Sequence, residues 1–149
     1  MDTLLARIVA QAEGEGATLV TGGGSPDGPG HFVQPTIFAD VTPDMAIVRE
    51  EIFGPVMAVQ RFESDDVEAV AAMANDSVYG LSGSVWTTSL SKAHRTAARV
   101  RSGHMSINCH GAVGPNIPFG GYKQSGWGRE FGGEGLDLYL ETKAVTVRL

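Results

Sequence analysis

The chain has 149 residues, of which 42% are hydrophobic and 19% charged, with 20 glycines and 7 prolines, a composition typical of a folded, loop-rich protein. Its net charge of −6 and its lack of a lysine- and arginine-rich stripe argue against nucleic acid as a partner, and the basic stretch from Lys92 to Arg101 is interpreted as a solvated helix face. Neither a secretory leader nor an apolar run of roughly 20 residues is present, so we expect no membrane partner and a cytoplasmic location.

The first half of the chain predicts one helix followed by strands and turns. Five apolar residues recur at helical spacing and indicate an amphipathic helix: Leu4, Leu5, Ile8, Val9 and Ala12. Gly14 and Gly16 are expected to end this helix. Three segments are expected to be strands, the last of them well buried: Thr18 to Thr21, His31 to Val41 and Gly54 to Phe62. Gly22 to Gly30 is interpreted as a plain surface turn, because it lacks the spacing of a phosphate-binding loop.

Two further helices are predicted in the second half. Ser64 or Asp65 is expected to cap the first, with Glu68 completing a capping box. Four residues are expected to form its buried stripe: Val67, Val70, Ala71 and Ala74. Ser89 is expected to cap the second helix, and Gly103 is expected to end it as a C-cap glycine. Three residues of that helix are predicted to face inward: Ala93, Ala97 and Val100.

The remaining second-half elements are strands, a loop and a short helix. Three strands are predicted: Gly83 to Thr88, His104 to His110 and Thr142 to Leu149. Gly111 to Gly135 is too rich in glycine for regular structure, and a short helix is expected around Leu136 to Glu141. The alternation in the middle of the chain predicts α/β layering with right-handed crossovers. No domain boundary is apparent within the chain.

Cys109 is the only cysteine, so we expect no intrachain disulfide and no metal site of the cysteine-rich type. Its neighbour His110 raises the possibility of a thiol nucleophile with an imidazole base. Alternation along a strand instead places Cys109 on the face of Met105 and Ile107, which predicts a mostly buried thiol. A Cys–His hydrolase is therefore the weakest functional hypothesis.

The opposite face of the same predicted strand is polar. It consists of His104, Ser106, Asn108 and His110, immediately before the glycine-rich loop. Ligands often bind where strands give way to loops in α/β folds. A solvated strand face would show the same pattern, so the residues alone leave both interpretations open.

Two adjacent acids, Glu50 and Glu51, precede Phe53 and an apolar strand. Adjacent carboxylates diverge in direction, so they are weak evidence for acid–base chemistry, and solvated turn charges are the usual explanation. An acid and an aromatic at the start of a buried strand are also suited to holding ribose hydroxyls and a flat ring. The pair alone does not decide between these two interpretations.

A longer pattern decides between them. Three stretches resemble, in order and spacing, the C-terminal third of the NAD(P)-dependent aldehyde dehydrogenase superfamily: Phe32 to Phe38 (FVQPTIF), Glu50 to Val56 (EEIFGPV) and Pro118 to Glu130 (PFGGYKQSGWGRE). The matches Asn75 to Leu81 and Ser106 to Asn108 lie between them, so the resemblance covers essentially the whole chain. It implies an α/β fold that forms the C-terminal part of the catalytic domain over residues 1–141, followed by an oligomerisation strand over residues 142–149.

The resemblance also implies roles for individual residues toward the cofactor. Glu51 is similar to the glutamate that hydrogen-bonds the nicotinamide ribose of NAD or NADP, and Phe53 to the aromatic that packs beside the nicotinamide. Glu130 resembles an acid that assists the general base through water. Thr142 to Leu149 resembles the strand that joins an intersubunit sheet, which implies a homo-oligomer.

On the aldehyde side, Phe119 resembles an aromatic of the substrate tunnel. Asn108 and the loop from Gly111 to Ile117, with Val113 near its centre, lie where the family lines that tunnel. In the family a cysteine thiolate attacks the aldehyde to form a thiohemiacetal, hydride passes to nicotinamide and water releases the acid. The Gly-Gln-x-Cys context of that thiolate and the general-base glutamate are both absent here.

Two main functional hypotheses follow. The leading one is part of an aldehyde-oxidising enzyme that supplies cofactor and tunnel residues without the nucleophile. Its rival is a non-catalytic module that self-associates through Thr142 to Leu149. In either case the exposed alternation of that last segment predicts that the isolated chain associates or is poorly soluble.

Overall fold

A computed structural model describes residues 2–149, with side chains from Leu4 onward. The helices and strands are α1 (Asp2–Gly14), β1 (Thr18–Thr21), β2 (Thr36–Ala39), α2 (Ala46–Arg49), β3 (Val56–Ala58), α3 (Val67–Asn75), β4 (Ser82–Val85), α4 (Leu90–Arg99), β5 (His104–Ile107) and α5 (Gly132–Asp137), with a 3₁₀ turn at Lys123–Ser125. The chain folds as two compact units, Met1–Glu63 and Ser64–Leu149. The mixed α/β class agrees with the sequence, whereas the boundary after Glu63 was not predicted.

Helix α1 begins the first unit and ends as the glycine pattern predicts. Gly16 has a φ of 101° and donates its N–H to Glu13 O at 3.0 Å, and the N–H of Ala17 donates to Ala12 O at 2.9 Å. This pair of bonds satisfies the last carbonyl groups of the helix and requires a residue that tolerates the left-handed region. Leu5 and Ala12 are buried, so the predicted apolar stripe is the packed face, although Leu4 is exposed.

Three short strands make the sheet of the first unit. β1 is antiparallel to β2, which is parallel to β3. Both longer predicted strands are shortened: only Thr36–Ala39 and Val56–Ala58 pair. β3 is an edge strand with Met57 exposed, so the prediction of a well-buried strand is wrong. An apolar run signals a strand, but its burial depends on what packs against it.

The core of this unit forms around β2. Phe38 is 0% exposed and packs in one cluster with Ala12, Ala17, Val41, Met45 and Ile47. Thr36 is buried too, but its hydroxyl donates to Gln34 O at 2.8 Å and accepts from Gly23 N at 2.9 Å. The buried polar group is therefore satisfied, as a packed interior requires.

The second unit contains two parallel strands joined by a helix. β4 and β5 pair from Ser82↔His104 to Val85↔Ile107, with α4 as the crossover. Helix α3 is capped by Asp66, whose side chain accepts from Glu68 N at 3.0 Å, and not by Ser64 or Asp65. In the predicted stripe, Val67 and Ala71 are buried, Val70 is half-buried and Ala74 is exposed.

Helix α4 has the predicted N-cap but a different end. Ser89 Oγ accepts from Lys92 N at 3.3 Å, and the helix stops at Arg99 with Val100 as its C-cap. Gly103 is therefore not the C-cap glycine that the sequence predicts. A Cβ at Gly103 would lie 1.6 Å from Gly120 O, so this glycine permits a close backbone approach.

The basic stretch on α4 is a solvated face, as predicted. Arg99 Nε donates to both carboxylate oxygens of Glu68, at 2.9 and 2.8 Å, and Arg95 lies 3.7 Å from the same carboxylate. The hydrogen bonds and charge of Glu68 raise the pKa of Arg99. Lys92 pairs with Asp65 at 2.7 Å.

The last part of the chain differs most from the predictions. The short helix occupies Gly132–Asp137 instead of the region around Leu136 to Glu141. Residues 142–149 are exposed and form no strand in the single chain. Among residues 2–149, no helix is long and apolar enough to cross a bilayer.

Candidate cofactor and substrate site

In the first unit, the segment from Glu50 to Phe53 leaves α2 and leads into β3. Glu50 is the C-cap of α2 and donates its N–H to Ala46 O at 2.9 Å. The helix ends at Arg49, two residues before Glu51, which is exposed on the turn. Within the part of the chain that the structure describes, no hydrogen bond or ion pair engages the Glu51 carboxylate. Its oxygens remain available to accept hydrogen bonds from a ligand.

Phe53 has an unusual conformation for an aromatic residue. Its φ is 51°, and its side chain is 92% exposed. A bulky residue in the left-handed region is strained, and such strain is concentrated at functional sites. A ring left in water at the same position offers a flat apolar surface for another ring to cover.

Two cavities meet at this ring. One of about 310 Å³ is bordered by Glu50, Glu51 and Phe53. The other, of about 100 Å³, is lined mainly by apolar residues of α1 and of the segment that leads into β3, including Phe53. The acid and the aromatic that the sequence singles out are thus brought to the wall of one cavity.

In the second unit, Asn108 follows β5 with a φ of 53°. Its side-chain amide pairs with the backbone of Thr87: Oδ1 accepts from Thr87 N at 2.9 Å, and Nδ2 donates to Thr87 O at 3.0 Å. The predicted strand from His104 to His110 therefore ends at Ile107. Asn108 ties the end of β5 to the segment after β4.

Phe119 and Glu130 are brought together by the backbone. Phe119 N donates to Glu130 O at 2.8 Å, and Glu130 N donates to Phe119 O at 2.7 Å. The Phe119 ring meets His104 edge-on, with centroids 6.2 Å apart. Glu130 is exposed, and so is Val113 in the loop after β5. Phe119 is thus anchored on two sides.

A cavity of about 530 Å³ lies along β5 and is bordered by His104, Ser106 and Cys109. Ser106 is 4% exposed, and its hydroxyl has no hydrogen-bond partner among the described residues. The polar face of the strand is therefore buried, which contradicts the interpretation as a solvated face for His104 and Ser106. Asn108 and His110 remain exposed beyond the strand.

The predicted nucleophile pair is not assembled. Cys109 is only partly buried, so the prediction of a mostly buried thiol is not met in full. His110 uses Nδ1 at hydrogen-bond distance, 3.2 Å, from Ser84 Oγ. The imidazole is thus paired with a hydroxyl of β4 and not with the thiol, which weakens the hydrolase hypothesis.

Arg129 is a residue of this region that the sequence pattern does not single out. Its Nη1 donates to Gly121 O at 3.1 Å, and its guanidinium lies 5.2 Å from the Tyr122 ring centroid. It supports the glycine-rich segment that follows Phe119. Only its place inside the Pro118 to Glu130 motif could have drawn attention to it.

No group of three or more histidine, cysteine or acidic side chains within residues 2–149 could hold a metal ion.

Comparison with known proteins gives consistent matches over nearly the whole chain. The chain is 52% identical over 142 residues to a betaine aldehyde dehydrogenase of Rhizobium leguminosarum, which covers 93% of this chain and 29% of that protein. It is 48% identical to the structure of a Mycobacterium tuberculosis aldehyde dehydrogenase complexed with NAD+, with a TM-score of 0.86 over 93% of this chain and 28% of that one.

A third match is the structure of an indole-3-acetaldehyde dehydrogenase from P. syringae in complex with NAD+. It is 40% identical to this chain with a TM-score of 0.92, and the match covers 99% of this chain and 30% of that one. The chain thus spans less than a third of the length of these relatives. The family model described as "Aldehyde dehydrogenase family" matches residues 3–145. This match extends over nearly the entire sequence, and the chain therefore belongs to the aldehyde dehydrogenase family.

Proposed function

We propose that this chain is part of an enzyme that oxidises an aldehyde to a carboxylic acid with NAD(P)+, and that it contributes nicotinamide-ribose and substrate-tunnel residues. The observation that carries the proposal is the pairing of an unengaged carboxylate, Glu51, with a strained and exposed ring, Phe53, at one cavity wall. Relatives crystallised with NAD+ support this assignment.

The residues at this cavity fit the nicotinamide end of such a cofactor. The Glu51 carboxylate would accept hydrogen bonds from the two ribose hydroxyl groups, because it is exposed and engages no partner among the described residues. The Phe53 ring would pack against the flat nicotinamide. NAD(P)+, when bound, supplies the hydride acceptor. The chain's own contribution is orientation, which lowers the barrier by proximity.

On the substrate side, Phe119 and Val113 would form apolar tunnel wall. Asn108 would stabilise the backbone beside the tunnel and would not contact the aldehyde, since both the oxygen and the nitrogen of its amide are hydrogen-bonded to Thr87. The exposed Glu130 carboxylate would act on the general base through water. The proposal places the thiolate nucleophile and the general base in the part of the family fold that this chain does not span.

A non-catalytic, self-associating module is the second candidate. Val145 is 77% and Val147 is 74% exposed in the terminal segment, and such unpaired apolar segments recruit partners. Homo-oligomer formation through Thr142 to Leu149 and a cytoplasmic location belong to the proposal as predictions. Both candidate functions predict a homo-oligomer, so the oligomeric state does not distinguish them. A measurement of dehydrogenase activity does.

The proposal is tested by replacing the matching segment of the Rhizobium betaine aldehyde dehydrogenase with this chain. The chimera is expected to reduce NAD+ in the presence of betaine aldehyde, whereas this chain alone is expected to give no turnover. A folded chimera that binds NAD+ but produces no reduction would contradict the proposal.

Glu51→Gln in the chimera tests the cofactor site. The expected transition-state loss is about 1.5–3 kcal/mol, the range for hydrogen bonds to charged groups, with a larger effect on chemistry than on NAD+ binding. A deuterated aldehyde should then show a larger isotope effect on kcat. Glu50→Gln is the matched control, because Glu50 borders the same cavity but is the C-cap residue of α2. Equal effects of the two substitutions would refute the specific role of Glu51.

A further inference from the structure

The side chain of Lys123 makes two contacts that neither the sequence motif nor the proposed chemistry explains. Its Nζ donates to Asn75 O and to Ser77 O, each at 2.9 Å. These two carbonyl groups lie at and just beyond the end of α3, where the helix leaves acceptors without intrahelical partners. The ammonium group therefore binds the end of α3 to the 3₁₀ turn at Lys123–Ser125.

The backbone of Lys123 is strained in the same turn. Its φ is 54°, in the region that glycine adopts freely and lysine adopts at a cost. A glycine here would remove the strain but would also remove both side-chain bonds. A strained lysine in a segment otherwise rich in glycine indicates a function for the side chain.

The contacts of Lys123 belong to a wider attachment. Tyr122 N donates to Gly80 O at 2.8 Å, and Gln124 N donates to Val78 O at 2.9 Å. Gly80 N in turn donates to Ser125 Oγ at 3.0 Å. The segment from Tyr122 to Ser125 is thereby fixed along residues 75–80.

This attachment controls one end of the segment that carries Phe119. Only Gly120 and Gly121 separate Phe119 from Tyr122, and glycines have the greatest backbone freedom. The other end is held by the pairing of Phe119 with Glu130. If the Tyr122 end were released, the bond from Arg129 to Gly121 O, the packing of Gly120 against Gly103 and the Glu130 pairing would be the remaining restraints, and the Phe119 ring would be held less firmly against His104.

We propose that Lys123 is a positioning residue for the aldehyde site, because its ammonium group fixes the segment that holds the Phe119 ring in place. This inference rests on the proposed function, in which Phe119 lines the substrate tunnel. Lys123 touches neither substrate nor cofactor in this account and acts through Phe119.

The test is Lys123→Met in the chimera described above. The KM for the aldehyde is expected to rise roughly tenfold, the lower end of the range for losing a hydrogen bond from a charged group, while the KM for NAD+ stays unchanged. Lys123→Arg should restore most of the parent KM, because a guanidinium group can donate to two carbonyl oxygens. Lys92→Met is the matched control, since it removes a lysine whose ammonium group forms a surface ion pair with Asp65.

A second measurement on the 149-residue chain does not depend on activity. Lys123→Met should speed hydrogen exchange at the amides of Tyr122 and Gln124, and Lys92→Met should not. Unchanged exchange, or an unchanged aldehyde KM, would overturn the proposal. If the methionine variant does not fold, Lys123→Gln is judged by the same two criteria.

Phe119→Ala in the same chimera distinguishes the two levels of inference. If it raises the aldehyde KM while Lys123→Met does not, the role of Lys123 is refuted and the tunnel role of Phe119 stands. If Phe119→Ala leaves the KM unchanged, the tunnel assignment fails, and the positioning role of Lys123 fails with it.

Discussion

Removal of the Asn108 side chain should destabilise the second unit by an amount that its contacts define. Asn108→Ala loses two hydrogen bonds to the backbone of Thr87, each contributing about 0.5–1.5 kcal/mol net. It also places alanine at a φ of 53°, where the left-handed conformation costs about 1–2 kcal/mol. Asn108 is exposed, so the lower ends apply, and the expected loss is about 2–3 kcal/mol.

Asn108→Gly separates the two contributions, because glycine adopts positive φ freely but cannot make either bond. Its expected loss is about 1–2 kcal/mol, from the hydrogen bonds alone. Urea unfolding followed by tryptophan fluorescence measures both variants, since Trp86 directly precedes Thr87. Asn116→Ala, at an exposed position in the following loop, is the control and should leave the midpoint unchanged.

Two results would refute this reasoning. A loss below about 0.5 kcal/mol for Asn108→Ala would mean that the amide pairing with Thr87 contributes nothing net. Equal losses for the alanine and glycine variants would mean that the positive φ carries no strain. In the first case the pairing with Thr87 would not stabilise the fold, and Asn108 would have to be assigned to direct substrate contact; in the second case the hydrogen bonds alone would account for the loss.

Three further predictions concern the cysteine, the end of the chain and a close backbone contact. Cys109→Ala should leave NAD+ reduction by the chimera nearly intact, because the proposed function assigns the nucleophile to a part of the fold that this chain does not span; loss of turnover in a normally folded variant would contradict this. Deleting Thr142 to Leu149 should reduce self-association measured by light scattering, and a parent chain that is already monomeric would count against it. Gly103→Ala should lower the urea midpoint strongly or prevent folding, since its Cβ would lie 1.6 Å from Gly120 O, and a parent-like midpoint would be inconsistent with the contact.

The family and most of the elements could be predicted from the sequence because both rest on local patterns. The amphipathic spacing around Leu5 and Ala12 marks α1, and Ser89 marks the start of α4. The motifs that carry the resemblance are contiguous stretches of sequence, so the family can be recognised from them without knowledge of the fold. The site roles of Glu51 and Phe53 come from those motifs and remain predictions.

Burial and element ends could not be predicted, because they depend on distant parts of the chain. β3 has the apolar run of a buried strand, yet it is an edge strand with Met57 exposed. The sequence left open whether the polar face at His104 and Ser106 is solvated, and the structure shows both residues buried. A period-2 pattern assigns faces, whereas packing decides which face is covered.

By itself, the sequence determined the family and the α/β class, and it predicted the residues of the proposed site. Only the tertiary structure showed that Asn108 is engaged with Thr87, that Gly103 admits the backbone of Gly120 and that Lys123 binds the end of α3. Each of these contacts joins residues more than 15 positions apart, and spacing along a chain carries no information about which distant backbone groups will meet.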